Sequence, residues 1–197
     1  MENNYRYQDP DFRYTNSNGV LHNLADIAEE RILLVYESLK VSRRVEELLE
    51  NPFKIKDSNT LLEIHHYLFQ DVYAWAGKVR TVNISKDGKP FFNGERFAIA
   101  FQDIDNLLLE YKRIRKTNRN QIAEKLAEIL DNVNYLHPFR EGNGRTQREF
   151  IRLLALEKGY QLNLNPADNK NVYDRYMQGT IESDVKTLTD LILELLK

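Results

Sequence analysis

Residues 137–148 read HPFREGNGRTQR. Within one dozen positions stand a histidine, a carboxylate, two glycines flanking an asparagine, and arginines at 145 and 148. Before the stretch, from Gln121 to Leu136, apolar side chains recur at Ile122, Leu126, Ile129, Leu130 and Val133, the spacing of a buried helix face. After it, Phe150 through Leu156 are helical in pattern again. The stretch is therefore a hinge between two core helices, crowded with polar groups that packing alone does not require.

The chemistry of the hinge follows from its residue types. Gly142 and Gly144 adopt positive φ at little cost and let a ligand approach the main chain, and Asn143 tolerates the same region. Successive N–H groups in such a turn form an anion-binding concavity at the positive end of the next helix. Arg145 and Arg148, three apart in the first turn, share a face, and their charge opposes the helix dipole unless an anion offsets it. Glu141 places a carboxylate beside a phosphate-sized nest, the usual way to hold Mg²⁺ together with substrate oxygens. His137 is the side chain suited to accept a proton near neutral pH. Together these point to phosphoryl or nucleotidyl transfer from a Mg²⁺-bound nucleotide.

The stretch resembles the signature of the Fic (filamentation induced by cAMP) family, H-x-F-x-D/E-G-N-G-R-x-x-R, with every fixed position filled. Similarity extends from the N-terminal Tyr-x-Asp-Pro and GVLHNL segments to about residue 160. The resemblance implies a mainly α fold, a Fic-like helical bundle with one small β-hairpin flap beside the active site. It implies transfer of AMP from ATP to a Tyr, Thr or Ser hydroxyl of a target protein. His137 would deprotonate that hydroxyl and Phe139 would anchor the loop in the core. Glu141 would bind Mg²⁺, while Gly142, Asn143 and Gly144 would cradle phosphates. Arg145 would help hold them and Arg148 would grip the γ-phosphate. The alternatives are transfer of UMP, phosphate or phosphocholine by the same motif, or a non-catalytic module that binds a nucleotide or partner.

Working outward, residues 79–92 (VRTVNISKDGKPFF) gather β-branched side chains and then a Lys-Asp-Gly-Lys turn signal, the one credible hairpin of the chain. Its exposed edge is expected to pair with an extended segment of a target by strand addition. The family's flap places Ile84, Ser85, Lys86 and Phe91 near the site. On the N-terminal side, residues 1–20 read as an arm packed by its tyrosines, with turns at Asp9-Pro10 and Asn18-Gly19. Leu24, Ile27, Ala28, Ile32, Val35 and Leu39 mark one helix, and Val41, Val45, Leu48 and Leu49 a second piece ended at Asn51-Pro52. A third helix follows the capping candidates Ser58 and Asn59 and carries His65 and His66, which as neighbours face different ways and read as packing or surface groups. An amphipathic helix spans Phe97 to Arg115, its end surrounded by Lys112, Arg113, Arg115, Lys116 and Arg119, read as helix-end charge, with a nucleic-acid patch as the alternative. A short helix around Val172–Met177 and a final one over Val185–Leu195 close the chain, which reads as a single Fic-type domain over 1–197 with its helix–loop–helix core at 121–160.

Composition sets the wider limits. The chain has 197 residues, 42% of them hydrophobic, and a formal net charge of −2, which gives no general attraction to nucleic acid or anionic membrane. It has no cysteine, so disulfides and thiolate chemistry are excluded. With neither a signal-peptide pattern nor an apolar run long enough to span a bilayer, a bacterial cytoplasmic location is expected. Many family members are inhibited by a helix bearing S/T-x-x-x-E-G/N, whose glutamate pairs with the last arginine of the signature. Here only Ser42 has a Glu four residues on, Glu46, and Glu47 stands where Gly or Asn belongs. The resemblance therefore implies a separate small antitoxin whose glutamate would reach Arg148, the alternative being inhibition in cis by the degenerate Ser42–Glu46 pair.

Overall fold

The computed structural model describes residues 5–7, 12–86 and 88–197, with only the main chain described at 5–7, 86 and 89. Seven α-helices carry the described chain: α1 Glu30–Glu50, α2 Thr60–Phe69, α3 Phe97–Arg113, α4 Arg119–Leu136, α5 Asn143–Glu157, α6 Lys170–Glu182 and α7 Val185–Leu195. The centre is α4, which packs on α3, α5, α6 and α7. Its face Ile122, Ala123, Leu126, Ala127, Ile129, Leu130, Val133 and Leu136 is wholly buried, the stripe expected from the spacing. Two N-termini are closed by side chains: the Asn118 carbonyl accepts the Gln121 N–H, and the Asp184 carboxylate the Thr187 N–H.

Three expectations change. The two pieces expected before residue 51 are one helix of 21 residues, and Leu24–Ala28 lie outside it. Its inward face is Leu33, Glu37, Val41 and Leu48, so the Ile32–Val35–Leu39 stripe faces outward, Leu39 at 68% exposure. Second, neither Ser58 nor Asn59 caps α2 with its side chain. Instead Asp57 Oδ1 accepts the Asn59 N–H at 2.9 Å and Thr60 Oγ1 accepts the Lys56 N–H at 3.3 Å. Third, the hairpin is shorter than 79–92 and is part of a three-stranded sheet. Strand β2 (Ile84–Lys86) pairs antiparallel with β3 (Lys89–Pro90) on one side and with β1 (Tyr5–Tyr7) on the other, in the order β1-β2-β3. The register sets Tyr5 against Lys86, Arg6 against Ser85 and Tyr7 against Ile84. The β2 edge that was to receive a target is thus occupied by the chain's own arm.

Further along that arm, Tyr14 is buried edge-on against Trp75, ring centroids 5.7 Å apart, and Gly19 at φ 80 turns the chain with its N–H on the Asn16 carbonyl. The Asp9-Pro10 turn lies outside the described residues. At the end of α3 the Lys158 ammonium donates to the Lys112 and Ile114 carbonyls, a cation on orphan helix-end acceptors. No described helix is long and apolar enough to cross a membrane.

Candidate active site

The hinge closes as follows. Helix α4 ends on His137 in the left-handed region, φ 43 and ψ 59, and α5 begins after Gly142 at φ 81. Of the two glycines of the motif only Gly142 needs positive φ, and it needs to be small as well. A Cβ there would sit 2.3 Å from the Phe69 ring. Gly144 is helical, and its hydrogen leaves room for Arg148, whose Nη1 would lie 3.3 Å from an added Cβ. Asn143 is helical too, and its buried amide brackets the loop: Oδ1 accepts the Phe139 N–H at 2.9 Å and Nδ2 donates to the Phe139 carbonyl at 2.8 Å. Asn143 thus shapes the turn with its side chain, and what it offers a ligand is main-chain N–H.

Phe139 is buried beneath the loop and stacked on His65, ring centroids 3.7 Å apart. His65 is fully buried: its Nδ1 accepts the Gly77 N–H at 2.8 Å, so Nε2 carries the hydrogen and donates to the Glu141 carbonyl at 3.0 Å. Burial, helped by the neighbouring Arg145 charge, lowers this imidazole to about 3, so it is neutral at physiological pH. The expectation of packing is met, but the packing is specific: His65 ties α2 and the Gly77 turn to the motif's main chain. His66, facing elsewhere, meets the Ala76 carbonyl through Nδ1 at 3.1 Å.

His137, the expected proton acceptor, is oriented through its Nδ1. His137 Nδ1 lies 3.1 Å from the Asn134 carbonyl and donates to it, which fixes the tautomer with its lone pair on Nε2. Phe91 stacks on the imidazole at 3.8 Å with 17° between planes. The Phe91 N–H donates to the Ile84 carbonyl at 3.0 Å. Of the expected flap residues Phe91 therefore lies on the His137 ring, and Ile84 holds the Phe91 main chain. Ile84 is buried and Ser85 half-buried; the Lys86 side chain lies outside the described residues.

At the mouth of α5, Gly142 N–H donates to Glu141 Oε1 at 2.9 Å, so a carboxylate oxygen rests on the first amide of the nest. The next N–H groups belong to the first helical turn, where no main-chain acceptor precedes them. Arg145 meets an anion that sequence reasoning missed: Glu37 of α1, buried, with Oε1 2.6 Å from Arg145 Nη2 and its other oxygen accepting the Tyr73 hydroxyl. Burial and the Glu37 charge push that phenol above its ordinary range. Arg145 also lies 3.7 Å from Glu141 and over the Phe69 ring at 4.7 Å. Arg148 lies over Tyr173 and Tyr176 at 5.6 and 5.5 Å. Both arginines line a groove of about 1020 Å³, with Val41, Ser42, Val45 and Glu46 of α1 opposite. Among the described residues no group of three His, Cys, Asp or Glu could cage a metal. Glu141, at 32% side-chain exposure, could supply one carboxylate to Mg²⁺ that takes its other ligands from phosphates and water.

A sequence model of the Fic/DOC family matches residues 55–155. The chain is 34% identical over 169 residues to the protein adenylyltransferase VbhT of Bartonella schoenbuchensis, covering 85% of this chain and 35% of VbhT. It is 31% identical over 177 residues to the probable protein adenylyltransferase y4lH of Sinorhizobium fredii, covering 89% of each. Among solved structures, the BepC protein of Bartonella tribocorum, crystallised with bound AMPPNP, superposes with a TM-score of 0.83 over 96% of this chain and 99% of its own, at 19% identity. That likeness concerns the fold, a helical one with almost no strand.

Proposed function

We propose, from the premise that this chain belongs to the Fic/DOC family, that it is a protein adenylyltransferase moving AMP from Mg-ATP to a hydroxyl of a target protein. The observation that carries the reading is His137: at the end of α4, its Nδ1–H is committed to the Asn134 carbonyl, so Nε2 is the basic nitrogen, five residues before the start of α5 at Gly142. The target hydroxyl gives its proton to Nε2 as its oxygen bonds the α-phosphorus. The bridging bond from that phosphorus to the β-phosphate oxygen breaks, and pyrophosphate leaves with the electron pair. Glu141, the first N–H groups of α5 and the arginines face the phosphates, with Arg148 toward the γ end. A phosphate entering the nest would take the Gly142 N–H from Glu141, whose carboxylate would then be free to hold Mg²⁺. Mg²⁺, when bound, screens phosphate charge and orients the triphosphate.

A second protein completes the proposal. The groove beside Arg145 and Arg148 is walled by the apolar Val41 and Val45, and α1 leaves Ile32, Val35 and Leu39 without intramolecular cover. With Arg152 also lining it, the groove suits a helix carrying an apolar stripe and a carboxylate. This is the chemistry of an antitoxin whose glutamate reaches Arg148. Ser42 and Glu46 stand on the same wall, on exposed positions of α1.

The test is direct. The protein, Mg²⁺ and α-labelled ATP are incubated with a bacterial lysate, and labelled proteins are identified by mass spectrometry. The expected result is a protein carrying an added AMP mass, with His137→Ala reducing the rate by about 10²–10⁴-fold. A nucleotide that binds without any covalent label, or wild-type labelling by His137→Ala, overturns the reading; a different added mass replaces AMP by another moiety.

A further inference from the structure

The one buried guanidinium of the flap region is Arg80, 2% exposed, and all its hydrogen bonds run to main-chain groups. Its Nε donates to the His137 carbonyl at 2.8 Å, Nη1 to the Val82 carbonyl at 2.7 Å and Nη2 to the Phe92 carbonyl at 2.5 Å. Its own N–H donates to the Pro138 carbonyl at 2.8 Å, and its guanidinium lies 5.0 Å from the Phe97 ring centre. Burial pulls the group down to about 10, so it keeps its charge at neutral pH.

Geometry gives these bonds a common purpose. Val82 enters the flap before β2, and Phe92 leaves it after β3. His137 and Pro138 are the bend at the end of α4. A non-glycine residue held at φ 43 is strained and persists only where its surroundings over-determine it. Arg80 supplies two of those determinants, one from its main chain and one from its side chain. The same fork holds both ends of the flap, so the strand pair and the bend share one rigid clamp. Phe91, one residue before a clamped carbonyl, then falls on the imidazole.

We propose that Arg80 is a positioning residue that fixes the distance between a target segment held by the flap and the proton-accepting nitrogen of His137. The proposal rests on the adenylyltransferase reading of the site. Arg80 touches neither nucleotide nor acceptor; it acts through two carbonyls of the flap and the two peptides of the bend. Lysine cannot replace it, because an ammonium on a flexible stem keeps the charge without the planar fork that meets three carbonyls.

Two measurements on Arg80→Lys decide the matter. In the NMR spectrum of the unliganded protein, the stacked Phe91 ring shifts the His137 ring protons upfield, an effect identified by its loss in Phe91→Leu. Arg80→Lys is expected to abolish most of that shift while the remaining dispersion stays native. In transfer to the acceptor purified from the lysate experiment, kcat is expected to fall about 10²-fold, the cost of misplacing reacting groups by roughly 1 Å. KM for ATP stays within about twofold, because the phosphate nest lies on α5. Release of AMP to water, an acceptor that needs no flap, falls much less. A retained ring shift, or equal losses for protein and water acceptors, overturns the proposal. Should Arg80→Lys fail to fold, one glycine inserted between Val82 and Asn83 separates the clamped Val82 from β2 with Arg80 intact; most of the ring shift is expected to be lost, and a shift retained at the wild-type value overturns the proposal. Wild-type protein that labels nothing defeats the adenylyltransferase reading alone, since the ring-shift comparison needs no nucleotide.

Discussion

Arg145 shows what a single residue in the motif owes to the rest of the chain. Two arginines at a helix start imply an anion, and for one of them the anion is already present as Glu37. Glu37 is nearly buried and shared between Arg145 and the Tyr73 hydroxyl, so removing its charge leaves a guanidinium with only the more distant Glu141. Breaking a mostly buried pair by one partner costs about 3–5 kcal/mol at most, and the amide of Glu37→Gln, which still accepts a hydrogen bond, recovers part of that. Urea unfolding of Glu37→Gln, Arg145→Gln and the double variant is expected to show a coupling of about 0.5–3 kcal/mol, the double losing less than the sum. Strict additivity would mean that the 2.6 Å contact contributes nothing. The sequence carried the eight motif residues plainly because they are adjacent. It could not carry Glu37, which reads as an ordinary surface glutamate in a charged helix until the fold turns it inward. For the same reason Asn143 read as a turn residue, although its amide is a bracket around Phe139.

At the scale of elements, α3 to α5 and α7 were legible because each buries one regular stripe, and period and burial coincide. Helix α1 misled because it carries two apolar stripes, one buried and one exposed, and periodicity does not tell which is inside. The flap was legible from its β-branched residues and turn, whereas β1 was not, since Tyr5–Tyr7 makes a strand only by pairing with β2. That pairing has a consequence. On its other side the sheet ends at β3, two residues long, where Pro90 has no N–H to offer. A target adding a strand to β2 must therefore displace residues 5–7. Deleting residues 1–9 is expected to lower KM for the protein acceptor while leaving KM for ATP and AMP release to water unchanged. Steady-state kinetics with both acceptors checks this, and a raised acceptor KM would instead make the arm part of the docking surface.

For the whole molecule, the buried imidazole of His65 links the site to global stability. It joins α2, the Gly77 turn and the Glu141 carbonyl, and it does so only when neutral, with Nδ1 as acceptor. In the folded chain it protonates only near about 3, against about 6.5 when unfolded. Between those values the unfolded chain binds the extra proton, so stability is complete above about pH 6.5 and is lost as pH falls toward 3. From pH 7.5 to 5.5 this one group costs about 1.4 kcal/mol. The lowered carboxylates, Asp71 beside Arg44 and Glu47 under the Tyr67 hydroxyl, have ordinary values of 3.8 and 4.5, so their losses begin at lower pH. The comparison that isolates His65 is urea unfolding of wild type and His65→Gln at both pH values. His65→Gln is expected to be less stable at pH 7.5, because a glutamine amide does not fill the stack between Phe69 and Phe139. Its further loss on going to pH 5.5 is expected to be smaller than that of wild type by about 1.4 kcal/mol. Equal losses in the two proteins would mean that His65 takes up its proton in place, and that the hydrogen bond holding the Glu141 carbonyl survives a charged ring.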